Sequence, residues 1–138
     1  MKVKFLSGLA VPPKRAHKTD AGYDMTATSR QDSERGVITY GTDVAVKIPE
    51  GYVGLLFPRS SVYKTGLRLV NSVGVIDSGY TSEIMFKFDT IKENSNPYHP
   101  GDRIGQLVIV PCLTPELEIV DELPTTDRGS GGFGSTGN

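Results

Sequence analysis

Residues 71–80 read N-S-V-G-V-I-D-S-G-Y, between an apolar run at residues 67–70 and an alternating run at residues 84–88. Asn71, Ser72 and Gly74 reverse the chain once, and Asp77-Ser78-Gly79 reverse it again. Val73, Val75 and Ile76 are therefore expected to form a short arm between two bends, a cradle with backbone groups to spare. A carboxylate, Asp77, and an aromatic ring, Tyr80, stand at the end of that arm. Taken alone, Asp77 reads as a turn former.

Outward from this arm the chain reads as strands and turns. Ile84, Phe86 and Phe88 alternate with Met85 and Lys87. Upstream, Val44, Val46 and Ile48 share one face and Ala45 and Lys47 the other, and Pro49-Glu50-Gly51 turns the chain into a strand at residues 52–57. Residues 2–6 alternate as an edge or pairing strand that Pro12-Pro13 stops. Residues 62–65 form at most one helical turn, ended by Gly66. Residues 101–106 lead into a strand at 107–110, and Leu117, Ile119 and their neighbours read as a last strand before Pro124. With sixteen Gly, nine Pro and no long helical periodicity in 138 residues, the fold class is all-β with at most one very short helix.

Composition excludes several classes of function. A net charge of -1 gives no broad electrostatic footprint for nucleic acid or an anionic membrane. No apolar run approaches a membrane span and the N-terminus lacks a signal-peptide core, so a soluble, cytoplasmic protein is expected, in a host cell if the source is viral. The single cysteine, Cys112, excludes an internal disulfide and reads as a buried small hydrophobe. No His or Cys cluster has metal-ligand spacing. The basic residues 14–18, His17 among them, read as a solvated loop, and His99 reads as structural.

Three further stretches carry chemistry. Pro58-Arg59-Ser60-Ser61 breaks a strand ahead of the helical turn, where a guanidinium, two hydroxyls and free amides can face one phosphate. It reads equally as a Ser N-cap beside a surface arginine. Residues 21–25, A-G-Y-D-M, allow close backbone approach next to a carboxylate. Residues 128–137, R-G-S-G-G-F-G-S-T-G, hold five glycines with one Arg and one Phe. A mobile lid with a cation for phosphate and a ring for a base fits this composition better than a plain linker. It does not match a Walker loop.

The ordered set A-G-Y-D-M, P-R-S-S, N-S-V-G-V-I-D-S-G-Y, G-D-R-I-G-Q and R-G-S-G-G-F-G-S-T-G closely resembles the five motifs of the homotrimeric dUTP nucleotidohydrolases, the dUTPases. Ser61 and Ser82 stand where that family usually has glycines, and Gly105 where it has alanine. The resemblance implies a distorted jelly-roll β-sandwich over residues 1–127, with residues 128–138 as a glycine-rich lid, and a homotrimer whose active sites are shared between subunits. It implies hydrolysis of dUTP to dUMP and pyrophosphate, which keeps uracil out of DNA and supplies dUMP for dTMP synthesis.

Residue by residue, the resemblance gives the base and sugar to Asn71, Val75, Ile76, Tyr80 and Met85, with Phe133 stacking on the uracil. The phosphates fall to Arg59, Ser60, Ser61, Gln106 and Arg128. Asp77 would orient the attacking water and take its proton. Asp24 and Asp102 are expected to be structural or to stand behind the site, pairing with Arg59 or Arg103 or orienting metal-bound water. Mg²⁺ is implied through substrate phosphates and water, with no direct protein ligand. Two other readings stand beside this one. A dCTP deaminase shares the central motif, but Lys87 falls where that family carries its glutamate. A non-catalytic jelly-roll trimer is the other, since fold does not fix function.

Overall fold

The computed structural model describes residues 1–131. Its strands are β1 (Lys2–Phe5), β2 (Gly22–Thr26), β3 (Ser29–Asp32), β4 (Val37–Lys47), β5 (Tyr52–Pro58), β6 (Leu67–Leu69), β7 (Gly74–Ile76), β8 (Glu83–Thr90) and β9 (Arg103–Pro111). One sheet has the order β1-β4-β8-β6, with β3 also paired to β4, and the other has the order β2-β9-β5-β7. Every strand pairing is antiparallel. The two sheets form the jelly-roll-like sandwich anticipated from the sequence.

The core lies between the sheets. In β8, Ile84, Phe86 and Phe88 are buried while Met85 and Lys87 are exposed, as their alternation predicts. Tyr40 of β4 and Leu107 of β9 are also fully buried. The Tyr40 hydroxyl donates to the carbonyl of Tyr98 at 3.0 Å, which satisfies a phenol that burial would otherwise strand.

A bulge bends β4 where its pairing with β8 shifts between Gly41 and Ala45. Asp43 takes a left-handed conformation there, with φ 53°. The Glu83 carboxylate accepts the backbone N–H groups of Thr42 and Asp43, both at 2.9 Å, so amides that leave the ladder keep a partner. Ala45, on the face opposite Val44 and Val46, is buried too, at this bulge.

Several expectations are corrected. Leu117 and Ile119 form no strand and are almost fully exposed, because neither sheet of the described chain pairs with them. The short helix is a 3-10 helix over Ser60–Lys64, earlier than residues 62–65, and its N-cap is Arg59 with no side-chain cap. Cys112 is only half-buried: its N–H donates to the carbonyl of Gly51, just beyond the end of β9, where the core no longer covers it. Two strands went unforeseen. Ser29–Asp32 has no apolar residue, and Gly22–Thr26 is short and begins on a glycine.

Candidate active site

The arm between the two bends is β7, which pairs with β5 through Gly54↔Ile76, Leu55↔Val75 and Leu56↔Gly74. At the first bend Ser72 takes φ 58° and the Val73 N–H returns to the Asn71 carbonyl at 2.5 Å. At the second bend the Tyr80 N–H donates to the Asp77 carbonyl at 3.0 Å, and Lys47 Nζ fixes the Ser78 carbonyl at 2.8 Å. The Tyr80 hydroxyl donates to the Glu83 carbonyl at 2.7 Å, which holds the ring beside the arm.

Between the arm and β8 lies a cleft of about 270 Å³ whose walls include Leu69, Asn71, Ile76, Tyr80 and Met85. Of the residues predicted for base and sugar, Asn71, Ile76, Tyr80 and Met85 therefore meet in one place. Val75 does not line it: its side chain faces away and is 63 % exposed. Five lining residues were not anticipated for this cleft: the apolar Leu56, Leu69 and Val70, and the charged Glu83 and Lys87. Glu83 is committed to the β4 bulge, a tie that sequence spacing could not reveal.

A second group gathers at the far end of β5. Asp24 accepts from Arg103 Nη1 at 2.9 Å and lies 3.7 Å from Arg59 Nε. Asp24, Gln106 and Phe57 stand side by side across β2, β9 and β5. Gly22 explains part of this arrangement, because the Gln106 side chain occupies the space a Cβ at that position would need. Ser60 and Ser61 open the adjoining 3-10 helix. Asp102 takes the structural alternative: its carboxylate accepts the His99 N–H at 2.7 Å and so closes a turn, pairing with neither Arg59 nor Arg103.

The three aspartates thus separate by what they hold. Asp24 pairs with guanidiniums and Asp102 caps a turn, whereas the Asp77 carboxylate accepts no hydrogen bond among the described residues and is exposed. Arg128 is exposed, with Nε donating to the Gly131 carbonyl at 3.0 Å. Phe133 lies outside the described residues.

Within one chain these groups do not converge. Asp77 borders a cavity of about 420 Å³ with Tyr52 and Val53 at the start of β5, and Arg59 follows its end. Six residues of extended chain separate those ends by roughly 20 Å. Between them, one face of the sheet carries Val53 and Val110, then Leu55, Val75 and Val108, then Phe57. Directly paired antiparallel residues share a face, and this face is opposite the core. No interface was read from the sequence, yet β5 and β9 are apolar on both faces, the mark of a sheet covered on both sides.

The fold and the site define an all-β protein with a cleft between the β7 arm and β8 and a separate guanidinium-bearing corner at the far end of β5. A family model described as dUTPase matches residues 10–137. The deoxyuridine 5'-triphosphate nucleotidohydrolase of Rhodococcus erythropolis is 41% identical over 128 residues, covering 91% of this chain and 78% of that one. That of Solanum lycopersicum is 39% identical over 99% of this chain and 80% of its own. The dUTPase of Staphylococcus bacteriophage 80alpha, solved with dUpNHpp, superposes with a TM-score of 0.87 at 38% identity, covering 99% of this chain and 98% of that one. A dUTPase from phage phi11 of S. aureus, in which a structural Mg(II) ion is coordinated, gives a TM-score of 0.75 at 36% identity, over 88% and 96% of the two chains. This chain belongs to the dUTPase family.

Proposed function

We propose that this enzyme hydrolyses dUTP to dUMP and pyrophosphate at sites built between copies of the chain in a homotrimer. The observation that carries the shared site is the separation of Asp77 from the Arg59 corner, roughly 20 Å along β5 in one chain. Rotating a neighbour onto the apolar outer face of the β2-β9-β5-β7 sheet would bring one copy's Asp77 toward the next copy's Arg59 and Gln106. The segment holding Leu113, Leu117, Ile119 and Leu123, all more than four-fifths exposed, also favours an assembly that covers it.

In this reading the cleft takes the base and sugar. Asn71 and the backbone beside Val75, Ile76 and Met85 read the uracil, and Tyr80 packs on the deoxyribose. A tight backbone wall refuses the thymine methyl by sterics, and the pinned Tyr80 ring leaves no room for a ribose hydroxyl. Cytosine reverses one donor-acceptor pair and would strand a buried polar group. Arg59, Ser60, Ser61 and Gln106 of a neighbour hold the phosphates, with Arg128 and Phe133 closing the site as part of a lid at residues 128–138. Asp77, whose carboxylate is not spent on the turn, orients a water and accepts its proton as it attacks the α-phosphorus.

Among the described residues no group of three or more His, Cys, Asp or Glu could cage a metal. In this reading Mg²⁺ is carried by substrate phosphate oxygens and water, and Asp24, whose oxygens face Arg59 and Arg103, would orient a metal-bound water from behind. When bound, the ion would neutralise phosphate charge. No helix among the described residues is long and apolar enough to cross a membrane, and we assign the enzyme to the cytoplasm. Deamination of dCTP is disfavoured because Lys87 and the committed Glu83 leave the cleft without a free glutamate. The test is to incubate the protein with Mg²⁺ and each deoxynucleoside triphosphate in turn. Pyrophosphate from dUTP alone is expected; ammonia from dCTP, or no pyrophosphate from dUTP, would overturn the reading.

A further inference from the structure

Behind the Arg59 corner lies a polar cavity of about 390 Å³, walled by Arg59, Arg103, Asp102, His99 and Tyr98 among others. Tyr98 is 8 % exposed, and its hydroxyl oxygen is buried with no hydrogen-bond partner among the described residues. Buried hydroxyls in native proteins are nearly always paired, so an orphan of this kind calls for a partner that the described residues do not supply in this arrangement. The ring cannot turn away to find one. Tyr40 packs edge-on against it at 6.1 Å and Phe88 at 5.8 Å between centroids, and the Tyr40 hydroxyl fixes the Tyr98 carbonyl.

Arg59 is the complementary case. Its one ion pair among the described residues is the long 3.7 Å approach of Nε to Asp24, whereas Arg103 holds the other Asp24 oxygen at 2.9 Å. A guanidinium carries five N–H donors and needs acceptors for those not facing a ligand. Burial raises the Tyr98 phenol above its ordinary pKa and the Arg59 charge draws it back down, so the two groups sense one another and the phenol stays a neutral acceptor.

We propose that Tyr98 is a positioning residue for Arg59: its buried hydroxyl accepts from the guanidinium when that side chain takes up the substrate phosphates, and so holds the remaining N–H groups toward them. Arg59 then reaches the triphosphate already oriented, with its rotamer fixed from behind. This inference rests on the reading of Arg59 as a phosphate ligand.

The test is Tyr98→Phe, which keeps the ring and its packing, made in the natural background and together with Arg59→Lys. Expected is a fall of roughly tenfold in kcat/KM for dUTP, the scale of one hydrogen bond to a charged group, carried mainly by KM and with the melting temperature kept or raised. In the Arg59→Lys background the same change should cost less than about twofold, since residues acting through one another are non-additive. An unchanged kcat/KM, or equal losses in both backgrounds, would overturn the proposal. If Arg59→Lys lowers kcat/KM and Tyr98→Phe does not, this inference alone fails. If Arg59→Lys changes nothing, the phosphate role of Arg59 fails and this inference falls with it.

Discussion

Asp77 is distinguished from the other turn aspartates by what its side chain does not do. At Asp20 and Asp102 a carboxylate oxygen accepts a backbone N–H three residues back, which is ordinary turn stabilisation. The backbone closes all three turns, and at Asp77 it does so without the side chain, so the carboxylate can serve the reaction without unmaking the bend. Asp77→Asn should therefore keep the fold and dUTP affinity while lowering kcat by about 10²- to 10⁴-fold, or about 3 to 5 kcal/mol; steady-state kinetics beside a binding titration would check this. From sequence alone a turn aspartate and a reacting one look the same, and only the other four motifs favoured chemistry. The serines in place of family glycines prove harmless locally: among described non-glycine residues only Asp43 and Ser72 have positive φ, so Ser61 and Ser82 carry no left-handed strain.

At the level of elements, period-two alternation made β8 and the C-terminal end of β4 legible. It failed where a neighbouring side chain set the geometry. Gly105 is such a case: a Cβ there would collide with the Phe86 ring and stand 2.8 Å from the Phe57 carbonyl. Glycine and a large facing aromatic form one packing unit, which explains the missing alanine. Gly105→Ala should destabilise the protein by about 1 to 3 kcal/mol, and Phe86→Leu added to it should recover part of the loss in a denaturant titration. Alternation also misread residues 117–119, because an apolar period states that a strand would fit but not whose sheet receives it. The glycine-rich tail is an element of a different kind. Removing everything after Asp127 should lower dUTP turnover by at least tenfold and leave the melting temperature within a few degrees, since the core ends at β9.

On the scale of the whole molecule, the sandwich and the family were legible because five short motifs in order leave little freedom, whereas the homotrimer came from the resemblance alone and from no apolar pattern in the sequence. The outer apolar face is written across β5, β7 and β9 together, and each strand alone reads as core. Val108→Asp, a charge at the centre of that face, should reduce the mass in solution from trimer to monomer and abolish activity together, measured by light scattering and pyrophosphate release. The shared site itself admits a more direct measurement. Asp77→Asn and Arg59→Ala each inactivate the homotrimer in this account, yet a mixed trimer made by co-expressing the two would hold some sites with an intact Asp77 from one copy and an intact Arg59 from another. Recovery of dUTP hydrolysis in the purified mixed trimers is the predicted result; mixed trimers as inactive as either parent would contradict a site divided between subunits.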